Sequence, residues 1–412
     1  MSDTISDCIC NASKWMKRIQ NKKDGGWGEY KGNDSNSLNT AEAILALVRS
    51  GCNNAGDQII QDGVEFLCDN QTTKQNLKHK INCGSWPKII TRGKNIIRIP
   101  DTVRTACALL ALNTAGKSST HTAVKACVKW LVQTQNKKDH GWGYSSNQEN
   151  QLFPTCMALK ALMQICQSGN KKTNESIQKG LDNLKSYQNE DGSYGKVHDL
   201  EVAHTLYVIQ TYSMASELGF TIPSRAIKAA TYWIQQRKQD ALRWSTETIL
   251  LKSDPKSPYN YTFSHINPAL YLEVVDKNIR EEDDIARDSL IAIRDNMDVP
   301  THAFCAKRPV SWATAKTLLG LTPARPIFHD FPLKSKSVPI KFGLKHYLLI
   351  ALAAFVLISA VLAALNRLSV TFASILFLVI LAILLIYGYI SERSFVRLLL
   401  ERWKTRKGIG TS

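Results

Sequence analysis

Residues 15–28 read WMKRIQNKKDGGWG, and residues 130–143 read WLVQTQNKKDHGWG. The two strings are nearly identical although they lie far apart in the chain. A third copy, residues 184–195, reads LKSYQNEDGSYG. Self-similarity of this kind is the signature of a repeat architecture. The chain is therefore expected to fold as a series of similar units.

Two weaker copies complete the series, one in residues 66–71 and 84–86 and the other in residues 233–244. The aromatic residues of the five copies are separated by 59, 56, 52 and 50 residues. An amphipathic helical pattern precedes each copy, and an apolar pattern such as TACALLAL (residues 105–112) follows it. This order predicts a unit made of an outer helix, a turn and a buried inner helix. Residues 285–319 form a degenerate sixth unit.

The turn itself carries a family resemblance. Gln188, Gly192 and Tyr194 follow the spacing Gln-x-x-x-Gly-x-Trp with Tyr in place of Trp, and the copies at Gln20 and Gln135 contain one extra residue. Residues 5 to 320 thus resemble the QW repeats of the terpenoid cyclase and protein prenyltransferase superfamily. The resemblance implies an all-α fold over residues 1–321, an α/α toroid of five to six helical hairpins. It also implies a structural role, tying neighbouring hairpins together, for Gln20, Trp27, Trp86, Gln135, Trp142, Gln188, Tyr194 and Trp244.

The C-terminal quarter has a different character. Residues 348–365 and 370–390 contain no charged residue, and a helix of about 20 apolar residues is long enough to cross a bilayer. The short link between them favours a hairpin of two transmembrane helices, residues 347–366 and 370–390. A Pro/Lys-rich juxtamembrane linker, residues 322–346, precedes the hairpin, and a basic tail, residues 391–412, follows it.

The net charge of +17 bears on partners and topology. Four lysines between residues 334 and 345 precede the first apolar run, and six Lys or Arg residues follow the second. The positive-inside rule then predicts that both termini and the toroid lie in the cytosol, with the lipid bilayer as a partner. No arginine-rich stripe with interleaved aromatic residues is present, so no nucleic acid is expected. The ten irregularly spaced cysteines and the lack of a signal segment favour the same reducing location.

The residues that would carry cyclase chemistry are changed. Class II cyclases of the family use Asp-x-Asp-Asp-Thr-Ala, whose central Asp protonates an alkene, whereas residues 101–106 read DTVRTA. Val103 stands at the proton-donor position and cannot give a proton. Arg104 replaces the last Asp and is expected to keep Asp101 ionised, since a nearby cation lowers a carboxyl pKa.

Prenyltransferase chemistry lacks its residues as well. The zinc site of that branch uses Asp, Cys and His, and its Asp-x-Cys pair is absent here. His302 and Cys305 are the nearest candidates, without an evident third ligand. No metal and no cofactor are therefore expected.

Polar residues at the starts of the inner helices remain as candidates for binding. On the family pattern these residues face the mouth of the central cavity: Glu42, Asp101, Arg104, Glu201 and His204. They would bind a peptide, an anionic group or an isoprenoid-like head group; alternatively, they cap helices and pair with one another. The favoured interpretation is a membrane-anchored, cytosol-facing toroid without cyclase chemistry that binds a peptide, protein or lipid ligand, as a sensor or an effector. The alternative is an enzyme of the terpenoid cyclase or prenyltransferase type that acts on a polyprenyl or lipid substrate at the membrane.

Overall fold

The computed structural model describes most of the first three quarters of the chain. The described residues are 4–73, 83–92, 95–146, 148–165, 170–195, 200–236, 248–251, 259–262, 266–276, 280, 283–298, 303–304, 310–328 and 331. The chain divides into two compact units, Met1–Ser335 and Lys336–Ser412, and every described residue belongs to the first. Trp244, His302, Cys305 and the two apolar runs of residues 347–390 lie outside the described residues. Within the described ranges, no helix has both the length and the apolarity needed to cross a membrane.

Six outer helices alternate with six inner helices along the described chain. The outer helices have one apolar face, as in α5, where the buried residues recur every three or four positions. They are α1 (Ile5–Arg18), α3 (Gln58–Asp69), α5 (Thr122–Thr134), α7 (Lys171–Leu184), α9 (Ser224–Gln236) and α11 (Asp284–Asp295).

The inner helices are buried on nearly all sides. In the first of them every residue from Asn39 to Leu47 is buried, which explains why its sequence has no polar face. They are α2 (Ser37–Arg49), α4 (Thr102–Thr114), α6 (Leu152–Ile165), α8 (Glu201–Glu217), α10 (Ile266–Val275) and α12 (Ser311–Ala324).

The inner helices close into a ring. Each packs against the next in chain order, from α2 to α12, and α12 packs back against α2. Each outer helix packs against the inner helices beside it, as α3 does against α2 and α4. The predicted α/α toroid is confirmed, and the described residues form six hairpins, within the predicted five to six.

The closing seam joins residues from the two ends of this unit. Ser311 donates its backbone N–H to the Glu29 carbonyl over 3.0 Å and its hydroxyl to the Gly28 carbonyl over 2.8 Å. At the other end of the same helix, the Arg325 guanidinium lies 3.4 Å from the Ser50 carbonyl. These hydrogen bonds therefore attach the sixth hairpin to the turn of the first hairpin.

Side-chain caps set where several helices begin. Asn36 and Asp101 each accept a hydrogen bond from the backbone N–H three residues later, at the starts of α2 and α4. Asp283 caps α11 in the same way by accepting from Ile285 and Ala286. Asp283 and Asp284 thus form the N-terminus of α11.

The expectation of an almost wholly helical domain is wrong in one respect. Three two-stranded antiparallel ribbons are present among the described residues: β1 (Trp86–Arg92) with β2 (Asn95–Asp101), β3 (Thr248–Leu251) with β4 (Tyr259–Thr262), and β5 (Met297–Asp298) with β6 (Ala303–Phe304). The first lies between the second turn and α4. Its strands are rich in isoleucine, a residue that favours strands, and pair in antiparallel register from Trp86 with Asp101 to Arg92 with Asn95.

Candidate functional site

The repeated turns are held by one hydrogen-bond pattern. In the four described turns the glutamine Nε2 donates to a carbonyl in its own turn and to a carbonyl near the start of the next outer helix. Gln20 donates to Gly25 and Ile59 over 2.8 Å each. Gln71, Gln135 and Gln188 make the equivalent pairs of bonds. The glutamines thus link α1 to α3, α3 to α5, α5 to α7 and α7 to α9.

The carbonyl that accepts within each turn belongs to a residue with positive φ. Gly25, Gly84 and Gly192 have φ of 73°, 99° and 93°. In the remaining turn, the third along the chain, the equivalent residue is His140, with φ of 64°. A non-glycine residue in this left-handed region is strained, so the third hairpin's turn carries a local cost that the other three avoid.

The aromatic residue of each turn is fully buried. The indoles of Trp27, Trp86 and Trp142 donate from Nε1 to the carbonyl four residues before the glutamine, over 2.7–2.8 Å. Tyr194 is shorter, and the hydroxyl of Tyr212 instead reaches a nearby carbonyl, that of Leu181, over 3.2 Å. Each aromatic backbone N–H also donates over 2.9 Å to a threonine hydroxyl on the following inner helix, namely Thr40, Thr105, Thr155 and Thr205.

These threonines provide a common register for the inner helices. Thr105, Thr205 and Thr314 each donate a hydroxyl to the carbonyl four residues earlier, which extends the register to α12. Two residues after the register threonine the side chains are Glu42, Cys107, Met157, Tyr207 and Lys316. Five residues after it they are Leu45, Leu110, Lys160, Gln210 and Leu319. The backbone repeats, but the inward side chains do not.

A cavity of about 450 Å³ lies among the inner helices. Its lining residues come from the middle and the C-terminal part of each inner helix, so it opens at the C-terminal ends of these helices. Charged and amide side chains form much of the wall: Arg49, Lys160, Gln164, Gln210, Glu273 and Lys316. No aromatic side chain occurs among the described lining residues.

The polar lining residues form a network across the ring. Lys316 lies 3.5 Å from Glu42, and Arg49 lies 3.8 Å from Glu273. Arg49 also donates to Gln164 over 3.2 Å, and Lys160 donates to the amide oxygen of Gln210. The charges therefore connect α2, α6, α8, α10 and α12 through the centre of the toroid.

Burial and neighbouring charges shift the protonation of this network. Burial, assisted by Lys316 and Arg49, lowers the pKa of Lys160 to about 8, although Glu273 opposes the shift. Burial also raises the pKa of Glu42, which Lys316 only partly offsets. For Glu273 the burial penalty is outweighed by the surrounding cations, and its pKa is lowered. Glu273 is thus ionised at neutral pH, whereas Lys160 is partly neutral.

The five residues expected at the cavity mouth all lie in or just before the N-terminal halves of inner helices, away from the opening of the described cavity. Arg104 donates from Nη1 to Asn36 over 3.2 Å, and Asp101 accepts from the Arg104 backbone over 2.8 Å. Glu42 reaches the cavity only through Lys316. The expectation of a lowered pKa for Asp101 is wrong: burial raises its pKa, and Arg104 offsets only part of the shift.

Glu201 and His204 begin α8, which α6 separates from α4 in the ring. Glu201 accepts from the Ser193 hydroxyl over 2.9 Å, beside the fourth turn, and the His204 ring lies against Gly195. Neither these two residues nor Glu42, Asp101 and Arg104 line the central cavity. The structure thus gives the sequence-predicted residues capping and pairing contacts, the alternative that their sequence left open.

The charged residues of the cavity can be recognised in the sequence by a feature other than the repeats. Lys160, Glu273 and Lys316 are single charges inside otherwise apolar helical stretches, as in TCMALKALM (residues 155–163). A lone charge on a helix that is buried on nearly all sides must face a cavity or a partner. Among the described residues, no group of three or more His, Cys, Asp and Glu side chains is arranged to hold a metal ion.

Comparisons with known proteins agree with this architecture. A squalene–hopene cyclase from Zymomonas mobilis is 26% identical over 222 residues, which cover 47% of this chain and 30% of the cyclase. The chain thus matches less than a third of that relative's length. The type II terpene cyclase MstE from Scytonema superposes with a TM-score of 0.51 at 14% identity, covering 78% of this chain and 99% of that one. An unsaturated glucuronyl hydrolase specific for heparin gives a TM-score of 0.53 at 11% identity, covering 80% and 99%.

At such identities the two solved structures establish the fold alone. The sequence profile of the prenyltransferase alpha-alpha toroid domain matches residues 4–110 and 104–241. Because these matches cover more than half of the 412 residues, the chain belongs to the prenyltransferase alpha-alpha toroid domain family.

Proposed function

We propose that the toroid is a ligand-binding module that holds a small polar ligand, or the polar end of a peptide or lipid, in its central cavity. The charged wall of that cavity is the observation that carries the proposal. Its volume of about 450 Å³ falls in the range of small-molecule sites, roughly 300–1,000 Å³. Arg49, Gln164 and Gln210 line the cavity and offer hydrogen bonds to a polar ligand.

The same wall is unsuited to cyclisation through carbocations. A carbocation is stabilised by aromatic faces, and the described lining contains none. The positive charges of Arg49 and Lys316 would repel a cationic intermediate, and the partly neutral amine of Lys160 would react with it. An apolar polyprenyl chain would also strip water from these groups without replacing its hydrogen bonds.

The start of α4 supports loss of the initiating step. Val103 stands where the family resemblance implies the proton donor. The Asp101 carboxylate is engaged as the helix cap. Incubation of the purified protein with squalene and shorter polyprenyl substrates should give no cyclic product. Cyclisation that is abolished by Asp101→Asn would overturn the proposal and establish the alternative, an enzyme acting on a polyprenyl substrate.

Ligand extraction from the full-length protein tests the binding role directly. The protein is purified in mild detergent, and co-purifying small molecules, lipids and peptides are identified by mass spectrometry. Arg49→Ala should reduce the occupancy of the cavity ligand about tenfold or more, the expected loss of one charged hydrogen bond. Arg18→Ala, an exposed arginine at the end of α1, is the matched control and should retain the ligand. Equal occupancy in both variants would contradict a cavity site.

We further propose that residues 347–390 anchor the toroid to a bilayer with its ligand site in the cytosol. The charge asymmetry across the two apolar runs supports this topology. Single reporter sites placed at Lys341 and Thr405 should be reached only from the cytosolic side, and one at Asn366 only from the opposite side. Labelling of Lys341 and Thr405 from opposite sides would mean that only one run spans the bilayer.

A further inference from the structure

We propose that Lys160 is a nucleophilic amine that captures a small anionic carbonyl compound, such as a 2-oxo acid, as an imine in the central cavity. The inference rests on the proposed function in one respect, because it requires that the cavity admit a small polar ligand. It adds a chemical class for that ligand and a reacting atom in the protein.

The surroundings of the amine support this role. Lys160 lies midway along α6 on the cavity wall, where a ligand entering from the open end would meet it. Among the described residues, no carboxylate lies within ion-pair distance of its amine, and its hydrogen-bond partner is the neutral amide oxygen of Gln210. Lys316 and Arg49 add positive charge nearby and disfavour its protonated form. A desolvated lysine beside other cations is an established form of activated amine nucleophile.

Lys316 provides an internal comparison. It lines the same cavity, but Glu42 lies 3.5 Å from its ammonium group and holds it protonated, with its pKa raised. Lys160 lacks such a partner, and its pKa of about 8 leaves a substantial fraction neutral near pH 7.5. Of the two lysines that line the cavity, Lys160 is therefore the one with the larger fraction of neutral amine.

A carboxylate site lies one helical turn closer to the opening. Gln164 follows Lys160 by four residues on α6, so the two side chains share one face of the helix. The Arg49 guanidinium donates to Gln164 over 3.2 Å, while its nearest described carboxylate, Glu273, is 3.8 Å away. The arginine is 39% exposed, which leaves donors free to bind an incoming carboxylate. The carbonyl carbon of a 2-oxo acid adjoins its carboxylate and would point inward toward Lys160.

The charges that face the cavity favour an anion at this place. Arg49 and Lys316 oppose Glu42 and Glu273, and these charges cancel when Lys160 is neutral. Arg49, Glu217 and Asp276 are exposed at the rim, where water screens them. A protonated imine at Lys160 would add one positive charge, which the carboxylate of the ligand would balance.

The reaction needs only the carbonyl compound and the amine. The neutral Lys160 Nζ attacks the carbonyl carbon, a C–N bond forms, and the carbonyl oxygen takes a proton to give a carbinolamine. The hydroxyl then leaves as water, Nζ having released two hydrogens in total, and a C=N bond remains. Glu273 is ionised and interacts most strongly with Lys160 among the carboxylates, so it is the nearby base for the proton released from nitrogen.

Reductive trapping tests the proposal in the full-length protein purified in detergent. The protein is incubated at pH 7.5 with sodium glyoxylate, the imine is reduced with borohydride, and modified lysines are located by peptide mass spectrometry. Lys160 should be modified about tenfold or more above Lys125, an exposed lysine on α5, because an ordinary lysine is almost wholly protonated at this pH. Lys160→Arg should remove this modification and leave that of Lys125 unchanged. Equal modification of the two lysines in the wild type would overturn the inference.

Two further arms separate the inference from the proposed function. Arg49→Ala should lower trapping of glyoxylate at Lys160 about tenfold, without lowering trapping of the uncharged aldehyde propanal. Equal trapping of glyoxylate by this variant and the wild type would contradict the carboxylate site. Glycolate has the carboxylate of glyoxylate without its carbonyl and should raise the melting temperature of the wild type. Stabilisation by glycolate without trapping of glyoxylate would overturn the imine and leave the binding function standing.

Discussion

The turns that hold the toroid together and the wall of its cavity occupy the same repeats but differ in how strictly they repeat. In the four described turns the glutamine makes the same two bonds and the aromatic side chain is equally buried. On the cavity wall, one register position carries Leu45, Leu110, Lys160, Gln210 and Leu319 in five of the six inner helices.

The difference follows from the number of partners that each position must satisfy. A turn glutamine donates to one carbonyl in its own turn and to one carbonyl in the next outer helix, so its identity is fixed by two acceptors. A wall residue faces a cavity on one side, so its identity is set by whatever fills that cavity. Residues of the turns are therefore expected to determine stability, whereas residues of the cavity wall are expected to determine ligand binding. The following substitutions distinguish the two roles.

The largest effect is expected at the turns. Gln135→Ala should lower the free energy of unfolding by about 2–4 kcal/mol, because the carbonyls of His140 and Ser176 each lose a donor in a largely buried setting. Gln133→Ala, an exposed glutamine on the same helix, should change it by less than about 0.5 kcal/mol. Urea denaturation measures both values, and similar losses in the two variants would remove the distinction.

The cavity wall should respond in the opposite direction. Lys160→Met is expected to stabilise the protein by about 2 kcal/mol at pH 7, because it removes a buried charge without a carboxylate partner at ion-pair distance. The folded pKa of about 8 lies below the unfolded value of 10.5, so the unfolded chain binds more protons between these pH values. The cost of Lys160 is therefore full below pH 8 and fades as the pH rises toward 10.5. Melting temperatures at pH 7 and pH 10 should show the gain shrinking; a constant gain would exclude this origin.

A packing test sharpens the comparison between turns. A Cβ at Gly180 would lie 2.7 Å from Trp142 and 2.9 Å from Leu159, so Gly180→Ala should cost about 1–2 kcal/mol. The equivalent outer-helix position beside the smaller Tyr194 is Ala230, four residues after the carbonyl that accepts from the glutamine. Adding Trp142→Tyr to Gly180→Ala should therefore recover part of the loss. Strictly additive effects in the double-mutant cycle would argue against this pairing.

The smallest effect is expected at the strained turn. His140→Gly should stabilise the protein by about 1 kcal/mol, because glycine adopts a φ of 64° without the clash of a Cβ. Asn136→Gly, in the same turn but without a positive φ, is the control and should not be stabilising. A loss of stability for His140→Gly in thermal melts would mean that the imidazole contributes more than the strain costs.

The sequence predicted the fold well because the turns repeat in the sequence itself. Gln20, Gln135 and Gln188, with their aromatic partners, locate three of the six hairpins without knowledge of any tertiary contact. The ribbon of β1 and β2 was not predicted, since its residues lengthen the link between turn and inner helix and have no counterpart in the first, third and fourth copies of the turn. The ion-pair partners of Arg49 and Lys316 could not be predicted from the neighbouring sequence either, because Glu273 and Glu42 lie far away along the chain.

The residues predicted as a site lie in or just before the N-terminal halves of the inner helices, away from the described cavity, for a physical reason. Polar residues at helix starts are common because the first backbone N–H groups need acceptors, and Asp101 serves that need. A charge in the middle of a buried helix has no such local use, which makes Lys160 and Lys316 the stronger functional signal. The pKa of Asp101 was misjudged because sequence proximity to Arg104 reveals the cation but not the burial that outweighs it.

The seam that joins Ser311 to Gly28 also sets an order of events during synthesis. The first hairpin is made early, yet Glu42 receives its ion-pair partner only when Lys316 emerges, nearly three hundred residues later on the ribosome. At about 5–20 residues per second this interval lasts on the order of 14–55 s. During that time the apolar flank of α2 that later contacts α12 has no native cover. The nascent chain is therefore expected to expose apolar surface to which chaperones bind until the last hairpin is synthesised and the ring closes.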